Sequence, residues 1–261
     1  MSGAGSAQES EPHGSVECRT GTRRDAIGAA NEDGDLLLTS GQWHSSDRSV
    51  SSNSLAPQGT GGPDDFGYTW DDAVPLDWID ASGGTDTGID DETDHVGPIA
   101  VGFLFKYYEN TYTQLYISRF GFVAFNEDGI NDSQSEIPSP DLPNDVIAPH
   151  WVPAYDVNGY VRYRRGGSAP HRWFAAEWNE LVSDYDGDDI YTFEVVLHES
   201  GDIVFQYDTM FHTGGRYCEA SGIEDSNGLD GLTTTPFCEP VGGNHAVRIY
   251  RRARARISVG A

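Results

Sequence analysis

The sequence predicts an all-β fold, an antiparallel β-sandwich of the jelly-roll type with an extended N-terminal arm. Between Gly97 and Leu232, short apolar segments alternate with turns rich in Gly, Pro, Asn and Asp. Short strands at such spacing are typical of sandwiches and barrels. The 31 glycines fit a fold with many turns, and 13 Tyr, 11 Phe and 6 Trp supply a substantial core. No segment of helical period and useful length competes with this pattern.

The predicted strands are mostly apolar runs, rich in β-branched and aromatic residues, that end at turn-forming residues. In chain order they are 97–105, 112–118, 121–125, 146–151, 173–178, 191–198 and 202–207. A proline-rich segment at 137–143 separates the third from the fourth. Glu177 stands out among the acidic residues because it lies inside a predicted strand.

Composition divides the chain into three regions. Residues 1–64 predict a flexible Ser/Gly-rich arm or linker, residues 65–251 predict the sandwich, and residues 252–261 predict an arginine-rich tail or an added strand. The arm contains one compact apolar segment, formed by Leu36, Leu37 and Leu38. This segment could be a short strand that docks on a sheet, either in its own domain or in a neighbouring copy.

The C-terminal tail has an unusual pattern. Five of the 15 arginines lie between Arg248 and Arg256. Basic and small apolar residues alternate with period 2, which predicts a strand with one basic and one apolar face. The residues that define it are Arg252, Arg254, Arg256 and Ser258 on one face and Ala253, Ala255, Ile257 and Val259 on the other. Such a strand can add to a neighbour's sheet edge; alternatively, it completes the domain's own last strand or frays in solvent.

The net charge of −26 restricts the choice of partners. A strong acidic excess argues against nucleic acid and anionic membrane surfaces as main partners. It permits divalent cations and basic partners. No apolar run reaches the ~18 residues that a membrane-spanning helix needs, so we expect no membrane insertion.

The three cysteines predict one disulfide. Cys218 and Cys238 flank a turn-rich segment between two predicted strands, and a bridge between them would add about 3 kcal/mol by constraining the unfolded chain. The alternative is a pair of buried free thiols. Cys18, in the arm, is then the odd cysteine, either free or bridged to another chain.

Acidic turns predict calcium as a cofactor, because calcium prefers six to eight oxygen ligands from carboxylates, amides and carbonyls. Two turns carry the densest sets. The candidate ligands are Asp184, Asp186, Asp188 and Asp189 in the first turn and Asn126, Asp128 and Asp132 in the second. Segments 86–94 and 225–231 are also acidic. The alternative is that Asp, Asn and Gly are simply good turn formers.

Signals of catalysis are missing from the sequence. It contains no Gly-x-Ser-x-Gly elbow, no His-Glu-x-x-His pair and no phosphate-binding loop. Tryptophans that could stack on sugars, although burial in the core is the favoured interpretation, are Trp43, Trp70, Trp78, Trp151, Trp173 and Trp178.

The series of predicted strands and turns resembles the nidogen-like (NIDO-like) extracellular β-sandwich of bacterial secreted and surface proteins. The resemblance covers the C-terminal two-thirds of the chain and rests on structural motifs. The matching segments are 96–99, 102–103, 116–122, 138–151, 177–179, 201–207, 222–224 and 228–232. It implies an extracellular adhesion or accessory module without a catalytic centre. It also implies a structural role for Glu177, and a packed position rather than a ligand role for His150, beside Trp151. The N-terminal residues lack the apolar core of a signal peptide, so an extracellular or cell-surface location implies a leader that this chain does not show.

These observations favour a non-enzymatic extracellular structural or adhesion module. In the sharper hypothesis it is a subunit of a self-assembling surface filament, with a chain end completing a neighbour's sheet. Its partners are then other copies of itself or a cell-surface or matrix protein. The alternative is a ligand-binding or carbohydrate-binding accessory domain of a larger secreted enzyme, with a glycan as partner. A hydrolase is the least favoured reading.

Overall fold

A computed structural model describes residues 59–131, 133–154, 156–183, 189–212 and 218–251. Within these ranges the protein has fourteen strands and no helix, which confirms the predicted all-β class. The strands are β1 (Thr60–Gly61), β2 (Tyr68–Val74), β3 (Thr85–Asp86), β4 (His95–Tyr107), β5 (Asn110–Ser118), β6 (Val123–Ala124), β7 (Val146–Trp151), β8 (Asp156–Gly166), β9 (Trp173–Val182), β10 (Ile190–His198), β11 (Ile203–Phe211), β12 (Ala220–Glu224), β13 (Gly231–Thr235) and β14 (His245–Arg251). Nothing in the described ranges could cross a membrane as a helix.

The strands form two antiparallel sheets that pack face to face. The large sheet has the order β1-β2-β14-β11-β10-β9-β8-β3, and the small sheet has the order β13-β12-β7-β6-β5-β4. β1 lies upstream of residue 65, so residues of the predicted arm region already pair with β2. The predicted sandwich is therefore confirmed, with the N-terminal region entering it at one edge of the large sheet.

Aromatic side chains fill the space between the sheets. Trp178 stacks on Phe193, and its indole nitrogen donates a hydrogen bond across the core to the Ser118 carbonyl at 2.8 Å. The hydroxyl of Tyr207 likewise crosses from the large sheet to the Pro149 carbonyl, also at 2.8 Å. Buried aromatic residues with a polar tip need such partners. These bonds fix how the two sheets lie on one another.

β4 shows how the sequence protects a long edge strand. Its buried and exposed residues alternate, as expected of a strand with one face on the core. On its open edge, Arg165 donates to the Ala100 carbonyl at 3.1 Å and Arg172 donates to the Gly102 carbonyl at 2.9 Å. Edge carbonyls that are already bonded are poor templates for another strand. β4 is therefore a poor acceptor for strand addition.

Candidate functional site on the outer face of the large sheet

A strap, residues 75–82, crosses the outer face of the large sheet. It leaves the end of β2, which lies near one edge, and leads to β3 at the opposite edge. Alternate backbone amides of the strap donate to side chains on three successive strands. The pairs are Asp77 N to Gln206 Oε1 at 2.6 Å, Ile79 N to Glu194 Oε1 at 2.9 Å, and Ala81 N to Glu177 Oε2 at 2.8 Å. These three side chains therefore hold the strap on the sheet.

The register of the sheet places the three acceptors in one row. Glu194 is the cross-strand partner of both Glu177 and Gln206. Two acidic side chains directly opposite each other are normally destabilising. Here the strap amides and the Gln206 amide, which donates to Glu194 Oε1 at 2.6 Å, offset part of that cost. The structural role expected of Glu177 is thus its contact with the strap and with the Tyr160 hydroxyl, which donates to it at 2.8 Å.

Glu177 and Glu194, here named the glutamate row, both have raised pKa values. Glu194 is fully buried, and its Oε2 has no hydrogen-bond partner. Burial, reinforced by the neighbouring Glu177 charge, raises the pKa of Glu194 to about 8. Burial also raises the pKa of Glu177, against the lowering effect of its bonds from Ala81 and Tyr160. The row therefore carries less negative charge at neutral pH than its composition suggests.

Two arginines of β8 anchor the far end of the strap. Arg162 donates to the Ser82 carbonyl at 2.6 Å and forms an ion pair with Asp86 at 3.0 Å. Arg164 donates to the Asp80 carbonyl at 2.9 Å. The strap is thus bound along its whole path across the sheet.

Beside the strap lies an open depression of about 350 Å³, here named the strap groove. Its lining residues are Trp78, Asp80, Tyr160, Glu177, Asn179, Thr192 and Asp208. The two aromatic side chains are partly exposed, and Asp80 and Asp208 are exposed carboxylates. The Arg162 guanidinium lies 4.4 Å from the Tyr160 ring centre. Aromatic faces beside carboxylates form a surface that favours cationic groups.

A second buried cluster, here named the histidine cluster, lies between the two sheets and consists of His150, Tyr191, His212 and Glu219. Glu219 Oε1 lies 2.9 Å from His212 Nδ1 and accepts from the Tyr191 hydroxyl at 3.2 Å. Its Oε2 lies 3.8 Å from His150 Nδ1. His150 is buried and packed against the Tyr191 ring, in agreement with the prediction that it is packed.

In the histidine cluster the pKa of the buried carboxyl group is lowered, whereas in the glutamate row the carboxyl pKa values are raised. Burial alone would raise the pKa of Glu219, but the two histidines outweigh it and the net pKa is lowered. Burial lowers the pKa of His150 to about 4, so this ring is neutral at pH 7. Burial would also lower the pKa of His212, but the Glu219 carboxylate reverses the shift and raises it.

The histidine cluster lies beside the predicted disulfide, which the structure contains between Cys218 and Cys238. The Cys238 amide donates to the Glu219 carbonyl at 3.1 Å. His212 Nε2 and the Val241 carbonyl are 2.9 Å apart, and the Val241 amide donates to Glu219 Oε2 at 3.3 Å. Glu219 and His212 therefore tie the segment after the disulfide to the core, which is a structural use of an acid and an imidazole. Cys18 lies outside the described residues.

The calcium prediction stays a prediction. Asn126 forms a turn, its side-chain oxygen accepting the Asp128 amide at 3.0 Å and its amide donating to the Asn144 carbonyl at 3.3 Å. Asp189 is buried. The other candidates, Asp132, Asp184, Asp186 and Asp188, lie outside the described residues. In the part of the chain that the structure describes, no group of three or more His, Cys, Asp or Glu could hold a metal ion.

The tryptophans have different environments. Trp151 and Trp178 are buried in the core, as the favoured interpretation expected. Trp70 and Trp173 are half-buried, and Trp78 lines the strap groove. Sequence reasoning singled out Glu177 but missed Glu194 and Gln206, although each is a polar residue within an apolar predicted strand. That shared feature was the available signal.

The chain enters and leaves the sandwich at opposite ends of β2. The Gly59 carbonyl accepts from the Asp72 amide near the C-terminal end of β2, whereas Arg251 pairs with Tyr68 at its start. We name these the arm end and the tail end. The register from β14 through β8 places the strap groove in the arm-end half. The residues predicted for assembly, Leu36, Leu37, Leu38, Arg252, Arg254, Arg256 and Ile257, lie outside the described residues.

Comparison with known proteins gives one match. No curated protein and no solved structure matches the chain. A family model described as NIDO related matches residues 67–247, which is 181 of the 261 residues and spans β2 to the start of β14. The match agrees with the resemblance seen in the strand motifs, and the chain belongs to the NIDO-related family.

Proposed function

We propose that this protein is an extracellular, non-enzymatic structural module that assembles head to tail through its two chain ends. Membership of the NIDO-related family indicates an extracellular module, and this family is not a known enzyme family. The observation that carries the proposal is the exit of the chain at opposite ends of β2. The finer function, assembly, is inferred from that geometry.

Opposite exits favour an open chain of subunits over a closed pair. A segment that leaves at one end and binds the other end of the next copy makes a contact between two different surfaces. Contacts of this kind repeat without closing and give filaments, whereas a contact between identical patches closes as a dimer. Two segments at opposite ends therefore suit a linear assembly.

The small sheet offers an acceptor edge for such a segment. β13 pairs with β12, and its other edge has no strand partner among the described residues. Beside it lies a depression of about 550 Å³ lined by Trp70, Glu136, Thr233, Thr234, Pro236 and Phe237. Backbone pairing along β13, with apolar side chains in this depression, is the usual mode of strand addition. The Leu36–Leu38 segment of a neighbouring copy has the apolar character that the mode requires.

The test is the assembly state of the full chain. We expect electron microscopy and sedimentation velocity to show linear oligomers that grow with protein concentration. The variant Leu36→Asp/Leu38→Asp should assemble at least tenfold more weakly, because charged residues oppose burial at the acceptor edge. Leu229→Asp is the matched control, since Leu229 is 74% exposed and outside both chain ends.

The same experiment contains the outcome that contradicts the proposal. Monomers at every concentration, in the presence of calcium and of a chelator, would exclude self-assembly as the function. Oligomers that disappear only in chelator would support assembly and place calcium at the contacts. An equal loss of assembly in the Leu229→Asp control would show that added charge alone disrupts assembly. That result would exclude a specific role of the arm.

A further inference from the structure

We infer that the strap groove of one copy binds the arginine-rich segment 252–256 of the next copy. This inference rests on the proposed head-to-tail assembly and names one of its contacts. The groove belongs to the arm end and the segment follows the tail end, so the two surfaces are on opposite sides of the molecule. A contact between them therefore requires a second copy in the head-to-tail arrangement.

The groove offers three kinds of partner for a guanidinium group. Asp80 and Asp208 are exposed carboxylates, which attract a guanidinium group, although one oxygen of each already accepts a bond, from the Ser82 amide and the Thr209 hydroxyl respectively. Trp78 and Tyr160 offer partly exposed aromatic faces, on which arginine stacks well. The half-buried Asn179 adds an amide oxygen at the same surface. This combination fits arginine better than it fits a neutral ligand.

The protein already contains an example of this contact. The Arg162 guanidinium packs 4.4 Å from the centre of the Tyr160 ring and forms an ion pair with Asp86 at 3.0 Å. An arginine held between an aromatic face and a carboxylate is thus compatible with this surface. A second arginine on the groove side would repeat the arrangement with Trp78 and Asp80.

The arginine-rich segment has a matching spacing. Arg252, Arg254 and Arg256 are separated by single small residues, Ala253 and Ala255. In an extended strand, alternate side chains point to the same side and lie about 6.6–6.8 Å apart. If the segment binds as an extended strand, all three guanidinium groups face one surface, and the intervening alanines allow the backbone to approach it closely.

Length argues against binding within the same copy. Arg251 lies at the tail end of β14, whereas Asp208 bonds to Asn244 just before the other end of this strand. That separation is about 23 Å at 3.3 Å per residue. Arg256 is five residues beyond Arg251 and reaches at most about 18 Å. The backbone of segment 252–256 therefore falls short of its own groove, which only the outstretched Arg256 side chain could approach, and the groove of another copy is the better-placed partner for all three arginines.

The test uses two matched variants of the full chain. The tail variant carries Arg252→Ser, Arg254→Ser and Arg256→Ser, and the groove variant carries Asp80→Asn and Asp208→Asn. Sedimentation velocity at low salt should show each variant associating at least tenfold more weakly than the native chain. The control Glu109→Gln/Glu239→Gln removes the same charge as the groove variant from exposed positions elsewhere and should assemble normally.

Mixing the two variants gives the sharper result. The groove variant supplies an intact tail and the tail variant supplies an intact groove, so the mixture should form a one-to-one complex and nothing larger. Its affinity should fall as salt is raised, because exposed charges are screened. A mixture that stays monomeric, or a tail variant that assembles like the native chain, would overturn the inference.

A peptide separates this inference from the proposed function. We would titrate a synthetic peptide of residues 251–261 onto the tail variant and onto the tail variant carrying Asp80→Asn/Asp208→Asn, by calorimetry and tryptophan fluorescence. Binding to the first only would support the groove contact even where the full chain does not form filaments. Equal or absent binding would overturn it, as would a polysaccharide that binds the groove while the peptide does not.

Discussion

Two buried glutamates in this protein, Glu194 and Glu219, differ in charge although both are shielded from solvent. Glu194 has Glu177 and Asp77 as its charged neighbours, and its pKa is raised to about 8. Glu219 lies between His150 and His212, and its pKa is lowered. The comparison shows that burial does not by itself set the charge of a carboxyl group in this sandwich; the neighbouring side chains decide it.

The two sites give opposite dependences of stability on pH. A raised folded-state pKa means that the contribution of Glu194 is fully present below about pH 4.5 and is lost as the pH rises through about 8. Glu224, whose pKa is also raised by burial to about 8, acts in the same direction. The lowered pKa values of Glu219 and His150 mean that their contributions are lost as the pH falls. We expect maximum stability between about pH 5 and pH 6.

The largest expected effect comes from Glu219→Gln. The substitution keeps the shape of the side chain and removes the charge that His212 uses, so we expect a loss of about 2–4 kcal/mol in the free energy of unfolding at pH 7. Urea unfolding of the oxidised protein measures this loss. NMR titration should also show a lower pKa for His212, which a purely steric defect would not produce. A variant as stable as the native protein would mean that Glu219 and His212 do not form a stabilising charged pair at pH 7.

Removing the disulfide beside Glu219 should have the next largest effect. The bridge closes a loop of 20 residues, and its loss in Cys218→Ala/Cys238→Ala should cost about 3 kcal/mol by releasing the unfolded chain. Urea unfolding with and without reductant checks this. Reductant should lower the midpoint of the native protein to that of the variant, and Cys18→Ala should behave as the native protein does. A variant that reductant still destabilises would point to a different pairing.

The sequence was sufficient to predict the strands that contain Glu194 and its cross-strand partners. Segments 173–178, 191–198 and 202–207 lie within or overlap β9, β10 and β11, because buried strands show as uninterrupted apolar runs. The disulfide was also predictable, since its cysteines flank a turn-rich segment. β2 and β8 were not among the predicted strands. Both strands have a mixed polar composition, because their outer faces contact the strap and solvent and are not covered by another hydrophobic layer.

The glutamate row could not be predicted from sequence because its register depends on irregularities. β-bulges shift the pairing of β10 with both neighbours, so residue spacing alone does not place Glu177 opposite Glu194. The strap, residues 75–82, has no strand pattern, and its amides find their acceptors only after the sheet has formed. The histidine cluster likewise joins residues from distant segments, which the spacing of single histidines cannot reveal.

Glu194→Gln tests the buried glutamate whose pKa is raised. The amide keeps an oxygen for the Ile79 and Gln206 donors and removes the group that ionises. We expect almost no change in unfolding free energy at pH 5 and a gain of about 1–3 kcal/mol at pH 9, where the native carboxyl must ionise while buried. Urea unfolding at both pH values measures the difference. Destabilisation at pH 9 would show that the ionised form is the one that holds the strap.

The smallest expected effect comes from His150→Phe, which tests whether the His150 imidazole stabilises the histidine cluster. His150 packs against the Tyr191 and Phe193 rings, and neither of its nitrogens has a hydrogen-bond partner. A phenyl ring fills similar space without burying polar atoms, so we expect a gain of about 0.5–1 kcal/mol at pH 7. The gain should grow at pH 5, because the native imidazole must remain neutral there although its unfolded pKa is near 6.5. The exposed His171, changed to Phe, is the control for the introduction of a phenyl ring. A loss of stability at both pH values would instead show that the 3.8 Å approach of His150 to Glu219 is a stabilising contact.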